Sequence, residues 1–390
     1  MRGLLMVPPA EPSRGSGLPP PSRRLESLTG LRFAAALAVV VGHMHPTLWS
    51  VTLTMVAVSF FFVLSGFVLT WSAQPEEAPG VFWRRRFFRI VPSHAVVWLA
   101  MLVLLAATAM SPAPGFTPAG VPAPGPALAN LLLVHTWVLD PAFLYGVNPP
   151  SWSLSVELFF YFLFPLVIPL VRRIPARWLP LPIAATIAVI WALPAAATAI
   201  TGPPVAPGWI DVPLEAFWLA YFSPASRLPE FLLGILLARA MHHGFAPRVG
   251  VVLPSLVLFA CVAAAPLVPR PFTFAALSVV PAALIVLGTA SLDLRRAPSL
   301  WRTPAMLHLG RISFALYLTH YPVLLLFEHY CSHLFHGVPG AAGAFVLQVA
   351  ASMALAWLLF RFVEQPTARR FGASRPKRPR TGADGSTPAP

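Results

Sequence analysis

The chain has 390 residues, of which 57% are hydrophobic and only 10% are charged. A soluble domain carries roughly 25% charged residues because its surface must be solvated, so this composition excludes an ordinary soluble protein. The formal net charge of +14 would suit a nucleic-acid-binding protein, but the basic residues cluster beside apolar runs, which indicates a membrane instead. Cys261 and Cys331 have no spacing that predicts a metal site or a disulfide framework.

Both ends of the chain are predicted to be disordered cytoplasmic tails. Residues 1–27 and 367–390 are rich in Pro, Ser, Gly and Arg, and such segments cannot bury enough apolar surface to fold. The first tail also lacks the continuous apolar core of a signal peptide. Residues 28–366 between the tails are predicted to form one integral membrane domain.

Apolar runs of about 20 residues, the length that crosses a hydrocarbon core of roughly 30 Å, recur along this domain. They predict an all-α polytopic membrane protein with about ten transmembrane helices. The predicted spans lie near residues 31–49, 52–73, 91–110, 152–171, 180–201, 215–240, 249–268, 272–291, 309–330 and 341–363. A shorter apolar stretch at 127–139 is predicted to be a re-entrant or interfacial helix, because it is too short to span.

The distribution of Lys and Arg among the loops predicts that both termini are cytoplasmic. Basic connectors favour the cytoplasmic side of a membrane. Residues 111–150 and 201–226 contain no Lys or Arg, so they are predicted to lie on the opposite side. The basic connectors lie at 84–89, 172–177, 239–248 and 295–302. Ten spans satisfy this alternation, whereas an eleventh at 127–139 would put the basic C-terminal tail outside.

The first span carries two ionisable residues, Arg32 and His43. Eleven positions at about 100° each return to nearly the same helix face, about 16 Å further along the axis. This arrangement suits a long ligand with an anionic head at Arg32 and a reactive end near His43, which would act as a base. Alternatively, Arg32 snorkels to the headgroups and His43 bonds a neighbouring helix.

The next polar features lie around the second and third spans. Ser65 and Gly66 interrupt an aromatic and aliphatic stretch, and small residues of this kind favour close helix packing. Downstream, Arg86 and Arg89 are three residues apart in "WRRRFFRIVP", hence on one helical side. They either set the orientation of the chain or bind phosphate through their planar guanidinium groups.

A carboxylate, Glu157, lies inside the span that follows "NPPSWS", with Ser153 one turn before it and Tyr161 one turn after. A carboxylate at such a position needs a partner. Either it pairs with an arginine or histidine structurally, or it orients His43 as the acid does in a catalytic pair.

Three later features complete the ionisable set. Arg227 and Glu230 are three residues apart and predict a local, structural ion pair. Arg311 at a predicted helix start is a candidate phosphate contact or anchor, and His320, nine residues on, is a candidate cavity residue. Glu364 near the end of the last span is expected to pair with a basic group.

Seven segments in this order resemble the acyltransferase 3 family of integral membrane acyltransferases. They are "LTGLRFAAALAVVVGH", "FFVLSGFVLT", "RRRFFRIVP", "PPSWSLSVELFFYFLFP", "RLPEFLLGILLA", "LGRISFALYLTHYPV" and "FVEQP", covering about residues 28–366. The opening segment is also similar to actinobacterial macrolide 3-O-acyltransferases. The resemblance implies a multi-pass enzyme of the bacterial cytoplasmic membrane that transfers an acyl group, usually acetyl from acetyl-CoA, to a hydroxyl of a carbohydrate or secondary metabolite.

The family's Arg, ten residues, His motif matches Arg32 and His43, and its Arg-x-x-Arg motif matches Arg86 and Arg89. These matches imply His43 as the catalytic base and the arginines as contacts for acyl-CoA. The other site assignments are Glu157 as a second catalytic residue, Arg311 as a further donor contact, and Trp152, Ser153, Tyr161 and His320 as substrate contacts. A departure from the family pattern is Ser93-His94 after "RIVP", where an aromatic residue is expected.

The resulting hypothesis is an O-acyltransferase that uses acyl-CoA as donor substrate and requires no metal and no permanently bound cofactor. Its expected partners are the lipid bilayer, acyl-CoA and a hydroxyl-bearing acceptor, with no nucleic acid. A transporter or flippase for a glycan or metabolite is the alternative, because buried His, Arg and Glu also line translocation paths. The co-facial Arg32 and His43 favour the enzyme, since a thioester donor explains both residues.

Overall fold

A computed structural model of the protein describes residues 25–74, 77–207, 210–245 and 250–372. The described chain is helical and contains one isolated β-bridge, between Ala206 and Ile210. Most of each predicted tail lies outside the described residues, but residues 26–27 and 367–372 are helical and not disordered, because they belong to the ends of helices that extend beyond the predicted domain. The α-helices are α1 Glu26–Met44, α2 Leu48–Ser72, α3 Pro79–Thr108, α4 Pro124–Leu131, α5 Pro141–Tyr145, α6 Trp152–Arg172, α7 Pro180–Thr198, α8 Leu214–Phe217, α9 Pro224–His242, α10 Val252–Ala263, α11 Ala276–Leu294, α12 Pro304–Tyr330, α13 Gly337–Leu359 and α14 Gln365–Gly372.

Eight helical segments among the described residues are long and apolar enough to cross a membrane. This bears out an all-α multi-pass membrane protein, although the predicted count of ten is not reached by these criteria. The eight segments are Glu26–Met44, Leu48–Ser72, Pro79–Thr108, Pro149–Arg172, Ala176–Thr198, Arg270–Leu294, Pro304–Tyr330 and Pro339–Phe371.

The two other predicted spans differ from expectation for different reasons. Near 215–240 the chain forms α8, a π-helical turn at Trp218–Phe222 and then α9, whose 19 residues include Arg227, Glu230 and Arg239. Near 249–268 the helix α10 has only 12 residues. Such a helix is about 18 Å long, which is shorter than the hydrocarbon core. The predicted short helix at 127–139 corresponds to α4 and a 3-10 turn at His135–Trp137.

The described residues form two compact units, residues 25–73 with 166–313 and residues 74–165 with 314–372. In the first unit, α2 and α9 approach closely through two glycines. A Cβ atom on Gly66 would lie 2.0 Å from the carbonyl oxygen of Phe231, and one on Gly234 would lie 2.0 Å from that of Val63. The close helix packing predicted at Gly66 is therefore confirmed.

The same helices hold a buried ion pair between Arg227 and Glu230, whose side chains are each 1% exposed and lie 3.1 Å apart. Arg227 also donates to the hydroxyl of Ser59 at 3.0 Å, and this hydroxyl lies 3.3 Å from the second oxygen of Glu230. The rings of Phe62 and Tyr221 flank the guanidinium. The predicted structural ion pair is confirmed, and it links α2 to α9.

The second unit is organised around α3 and α6. The indole nitrogen of Trp83 donates to the carbonyl oxygen of Tyr161 at 3.1 Å, and the rings of Phe82 and Phe164 are stacked. Helix α3 begins at Pro79, twelve residues before the predicted span, and continues through Pro92. Both Arg86 and Arg89 are therefore helical, as their spacing predicted.

Candidate functional site

Helix α1 of the first unit carries Arg32 and His43, the two residues that sequence spacing placed on one face. The helix is continuous from Glu26 to Met44, so the two side chains leave it about 16 Å apart along the axis. Both side chains are half-buried. Because the helix is continuous between them, Arg32 and His43 keep the common face that their spacing predicted.

The beginning of α1 is fixed by polar and close-packing contacts. The carboxylate of Asp293 accepts from the backbone nitrogen of Ser27 at 2.8 Å and from its hydroxyl at 2.7 Å. A carboxylate at this end also complements the helix dipole. In addition, a Cβ atom on Gly310 would lie 1.9 Å from the carbonyl oxygen of Thr29. These contacts hold the end of α1 that bears Arg32.

Arg311 follows Gly310 directly and is exposed, and its Nε donates to the carbonyl oxygen of Leu307 at 3.2 Å. It lies in the second turn of α12, because that helix begins at Pro304, five residues earlier than predicted. The crossing at Gly310 brings the backbone of Arg311 to the end of α1 where Arg32 lies. Two of the four arginines expected to bind the donor thus come from the same region of the first unit.

The ring of His43 is held by its own helix. Its Nδ1 lies 2.9 Å from the carbonyl oxygen of Val39, one turn earlier. A carbonyl oxygen can only accept a hydrogen bond, so Nδ1 carries the proton when the ring is neutral, and Nε2 carries the lone pair. This is the tautomer that a general base requires at Nε2.

In the second unit, one face of α6 carries Ser153, Glu157 and Tyr161 at four-residue intervals. The hydroxyl of Tyr161 donates to the carboxylate of Glu157 at 2.5 Å. Glu157 is half-buried, whereas Tyr161 is buried. The carboxylate of Glu157 thus has a hydrogen-bond partner on its own helix, the hydroxyl of Tyr161.

Arg86 lies beside the same pair. Its guanidinium carbon is 5.6 Å from the ring centre of Tyr161 and 5.4 Å from that of Phe82, both within cation-π range. Glu157 and Arg89 are also within electrostatic range of Arg86. Arg86, Glu157 and Tyr161 therefore form one group, which we call the Glu157 cluster. The sequence predicted a separate role for each of them: a donor contact, a catalytic carboxylate and a substrate contact.

Ser153 and His320 meet through a residue that sequence analysis did not single out, Tyr317. The hydroxyls of Ser153 and Tyr317 are 2.7 Å apart, and Tyr317 donates to the carbonyl oxygen of Pro150 at 2.7 Å. His320 is fully buried, with its Nδ1 2.8 Å from the carbonyl oxygen of Tyr317. By the argument applied to His43, the lone pair of neutral His320 is also on Nε2. The predicted substrate contact Trp152 is buried at the start of α6.

The comparisons with known proteins identify the family of the chain. The profile of an acyltransferase domain, that of the acyltransferase 3 family, matches residues 25–361. The chain belongs to this family. The match covers nearly all of residues 28–366, so the family resemblance predicted from seven segments is confirmed.

Individual relatives are also acyltransferases by name. The chain is 38% identical to Acyltransferase MdmB of Streptomyces mycarofaciens over 92% of this chain and 95% of the relative. It is 24% identical to O-acetyltransferase OatA of Staphylococcus aureus over 89% of this chain and 58% of the relative. It is 25% identical to Peptidoglycan O-acetyltransferase OatA of Listeria monocytogenes over 87% of this chain and 55% of the relative. The chain thus spans little more than half the length of the OatA proteins. No solved structure matches it.

This membrane acyltransferase contains a second polar group that sequence reading missed, around His94 and His135 of the second unit. Both histidines are fully buried. Nε2 of His94 lies 3.0 Å from the carbonyl oxygen of Asn130, whose side-chain amide donates to Ser151 at 2.9 Å. Both ring nitrogens of His135 are buried, and the nearest polar partner is the backbone of Ala129. Burial, with a smaller effect from His94, lowers the pKa of His135 to about 3, so this ring is neutral at physiological pH.

The described residues bring together no group of three or more His, Cys, Asp or Glu side chains. The candidate residues of the first unit are two arginines and a histidine, and those of the second unit include two arginines, a histidine and the carboxylate of Glu157. Such a set can bind anions and move protons.

Proposed function

We propose that this acyltransferase transfers an acyl group, most simply acetyl, from acyl-CoA to a hydroxyl group of a carbohydrate or a glycosylated secondary metabolite. Membership of the family supplies the reaction class. The names of the OatA relatives favour O-acetylation, and the Listeria protein is named for a carbohydrate polymer. We place the enzyme in a bacterial cytoplasmic membrane, with acyl-CoA entering from the basic, cytoplasmic side.

His43 is the proposed general base, and the contact between its Nδ1 and Val39 is the observation that carries this assignment. Nε2 removes the proton of the acceptor hydroxyl as the oxygen attacks the thioester carbonyl carbon. The C–S bond then breaks, and the proton passes from the imidazolium to the departing CoA thiolate. The products are an ester and free CoA, and the imidazole returns to its neutral form.

The arginines are proposed to bind the phosphates of CoA, for which the planar guanidinium is well suited. Arg32 and Arg311 share one region of the first unit, and Arg86 and Arg89 occupy successive turns of α3. Trp152, Ser153, Tyr161 and His320 remain the proposed acceptor contacts. Glu157 remains the second proposed catalytic residue, with Tyr161 supplying a hydrogen bond that holds the carboxylate in one orientation.

Replacing His43 by Ala tests the function directly. Acyl-CoA-dependent acylation by membranes or purified enzyme is expected to fall by about 10²–10⁴-fold, the usual contribution of a general base. His45→Ala is the matched control, because this histidine lies two residues later and is exposed. It should keep nearly full activity.

His320→Ala tests which of the two histidines with the same tautomer, His43 or His320, is the general base. If His43→Ala is folded and active while His320→Ala is inactive, then His320 is the base and the proposal for His43 is wrong. If no hydroxyl compound is acylated by the wild-type enzyme with any acyl-CoA, the donor assignment itself is wrong.

A further inference from the structure

An apolar groove lies on the second unit, between the first turns of α3, the chain around Trp137 and the middle of α6. Its volume is about 530 Å³, which is within the range of about 300–1,000 Å³ that is usual for ligand sites. Most of its lining is aromatic or aliphatic, including Trp137, Phe159 and Phe162. A ligand for this groove must therefore be mainly hydrocarbon.

The rings of the groove are accessible from outside the protein. Trp137 is 46% exposed and Phe162 is 58% exposed. Phe162 stacks on Trp83, and Trp137 meets Phe159 edge to face, so the walls are held in place by their own contacts. In a multi-pass membrane protein, exposed aromatic rings are typical of the surface that meets the bilayer and its interface. A lipid of the bilayer can therefore reach the groove.

The groove also contains positive charge. Two of its lining residues are Arg84 and Arg86. Arg86 lies over the rings of Tyr161 and Phe82, and Arg85 forms an ion pair with Glu77. Arg84 is exposed at the groove. A guanidinium beside an apolar channel complements a lipid whose headgroup carries a phosphate and a net negative charge.

We propose that this groove binds one anionic phospholipid, with an acyl chain along Trp137 and Phe162 and the phosphate on Arg84. The bilayer is chosen over acyl-CoA as the source because the lining is almost wholly apolar, with Arg84 and Arg86 as its charged residues, whereas most of a CoA molecule is polar and carries several phosphates. In addition, Arg84 lies outside the Arg-x-x-Arg motif that is assigned to the donor. Arg86 and Tyr161 belong both to the lining of the groove and to the Glu157 cluster. A bound lipid would therefore lie directly beside the Glu157 cluster. Lipid binding does not depend on which acyl group is transferred.

The test measures lipid binding by the full-length purified protein, using native mass spectrometry with phosphatidylglycerol and phosphatidylcholine. The wild-type protein should bind phosphatidylglycerol more tightly. Arg84→Gln should weaken that binding about five-fold, as expected for one arginine near a phosphate, while phosphatidylcholine binding changes little. Arg173→Gln is the matched control, because it removes one charge from an exposed arginine outside the groove.

Val134→Trp tests the position of the acyl chain, because Val134 lines the groove and is 46% exposed. The larger side chain should weaken the binding of both lipids. The proposal is overturned if Arg84→Gln has no more effect than Arg173→Gln, or if Val134→Trp leaves both affinities unchanged. It is also overturned if acyl-CoA displaces phosphatidylcholine as well as phosphatidylglycerol, because the acyl-chain part of the groove would then belong to the donor. All of these readouts are independent of acyl transfer.

Discussion

Arginine and glutamate lie close together in both units of the protein, but in different surroundings. In the first unit, Arg227 and Glu230 are each 1% exposed and are enclosed by Ser59 and aromatic rings. In the second unit, Arg86 and Glu157 are only half-buried, and Arg86 lines an open groove. This difference in burial predicts different roles for the same pair of residue types.

The buried pair is best explained by stability. A charge removed from water is tolerated when its partner and further hydrogen bonds are fixed around it, which leaves no position for a ligand. In the Glu157 cluster, Arg86 and Glu157 are half-buried, and the hydroxyl of Tyr161 donates to the carboxylate. A carboxylate that is held in one orientation without full burial is suited to act on a substrate, and this contrast leads to three predictions.

The largest expected effect is on the stability of the buried pair. Arg227→Met should lower the free energy of unfolding by about 3–5 kcal/mol, because it leaves Glu230 buried without its cation. Adding Glu230→Leu should recover most of the loss, since an apolar pair of similar volume needs no counter-charge. Thermal unfolding in detergent measures both effects. If Arg227→Met is as stable as wild type, the pair does not hold α2 and α9 together.

The next largest effect is on catalysis by the Glu157 cluster. Glu157→Gln keeps the size of the side chain and an acceptor for Tyr161 but removes the charge. It should lower kcat by about 100-fold or more, with little change in thermal stability. Glu77→Gln is the matched control, because Glu77 pairs with Arg85 outside the Glu157 cluster. Nearly wild-type turnover in Glu157→Gln would make the carboxylate a structural partner, like Glu230.

Local sequence patterns predicted much of this arrangement. The span expected at 152–171 is the helix Trp152–Arg172, because an uninterrupted apolar run defined it. The four-residue spacing of Ser153, Glu157 and Tyr161 then fixed their common face. The same reasoning predicted the ion pair of Arg227 and Glu230, since both members lie on one turn. Each of these successes rests on residues that are close in the sequence.

The errors arose where the deciding contact or break was not local. Tyr317 was missed because its partner Ser153 is 164 residues away. Helix α10 ends at Ala263, and a 3-10 turn containing Pro266 follows, although hydropathy alone continued the span to residue 268. The predicted third span begins at residue 91, whereas helix α3 begins at Pro79 and includes the arginines, because the apolar run marks only part of the helix. Hydropathy measures the solvent that a segment prefers and not where its helix stops.

The smallest predicted effect tests whether Arg86 and Arg89 bind the donor or only set the orientation of the chain in the membrane. Arg86→Gln and Arg89→Gln should each raise the KM for acyl-CoA by about ten-fold, the loss expected for one hydrogen bond to a charged group. Thermal stability should change far less than in Arg227→Met, because both arginines are only half-buried. Arg177→Gln, at an exposed arginine of the first unit, controls for the loss of one positive charge. An unchanged KM would leave these arginines as topology signals only, whereas a large loss of stability would give Arg86 the same structural role as Arg227.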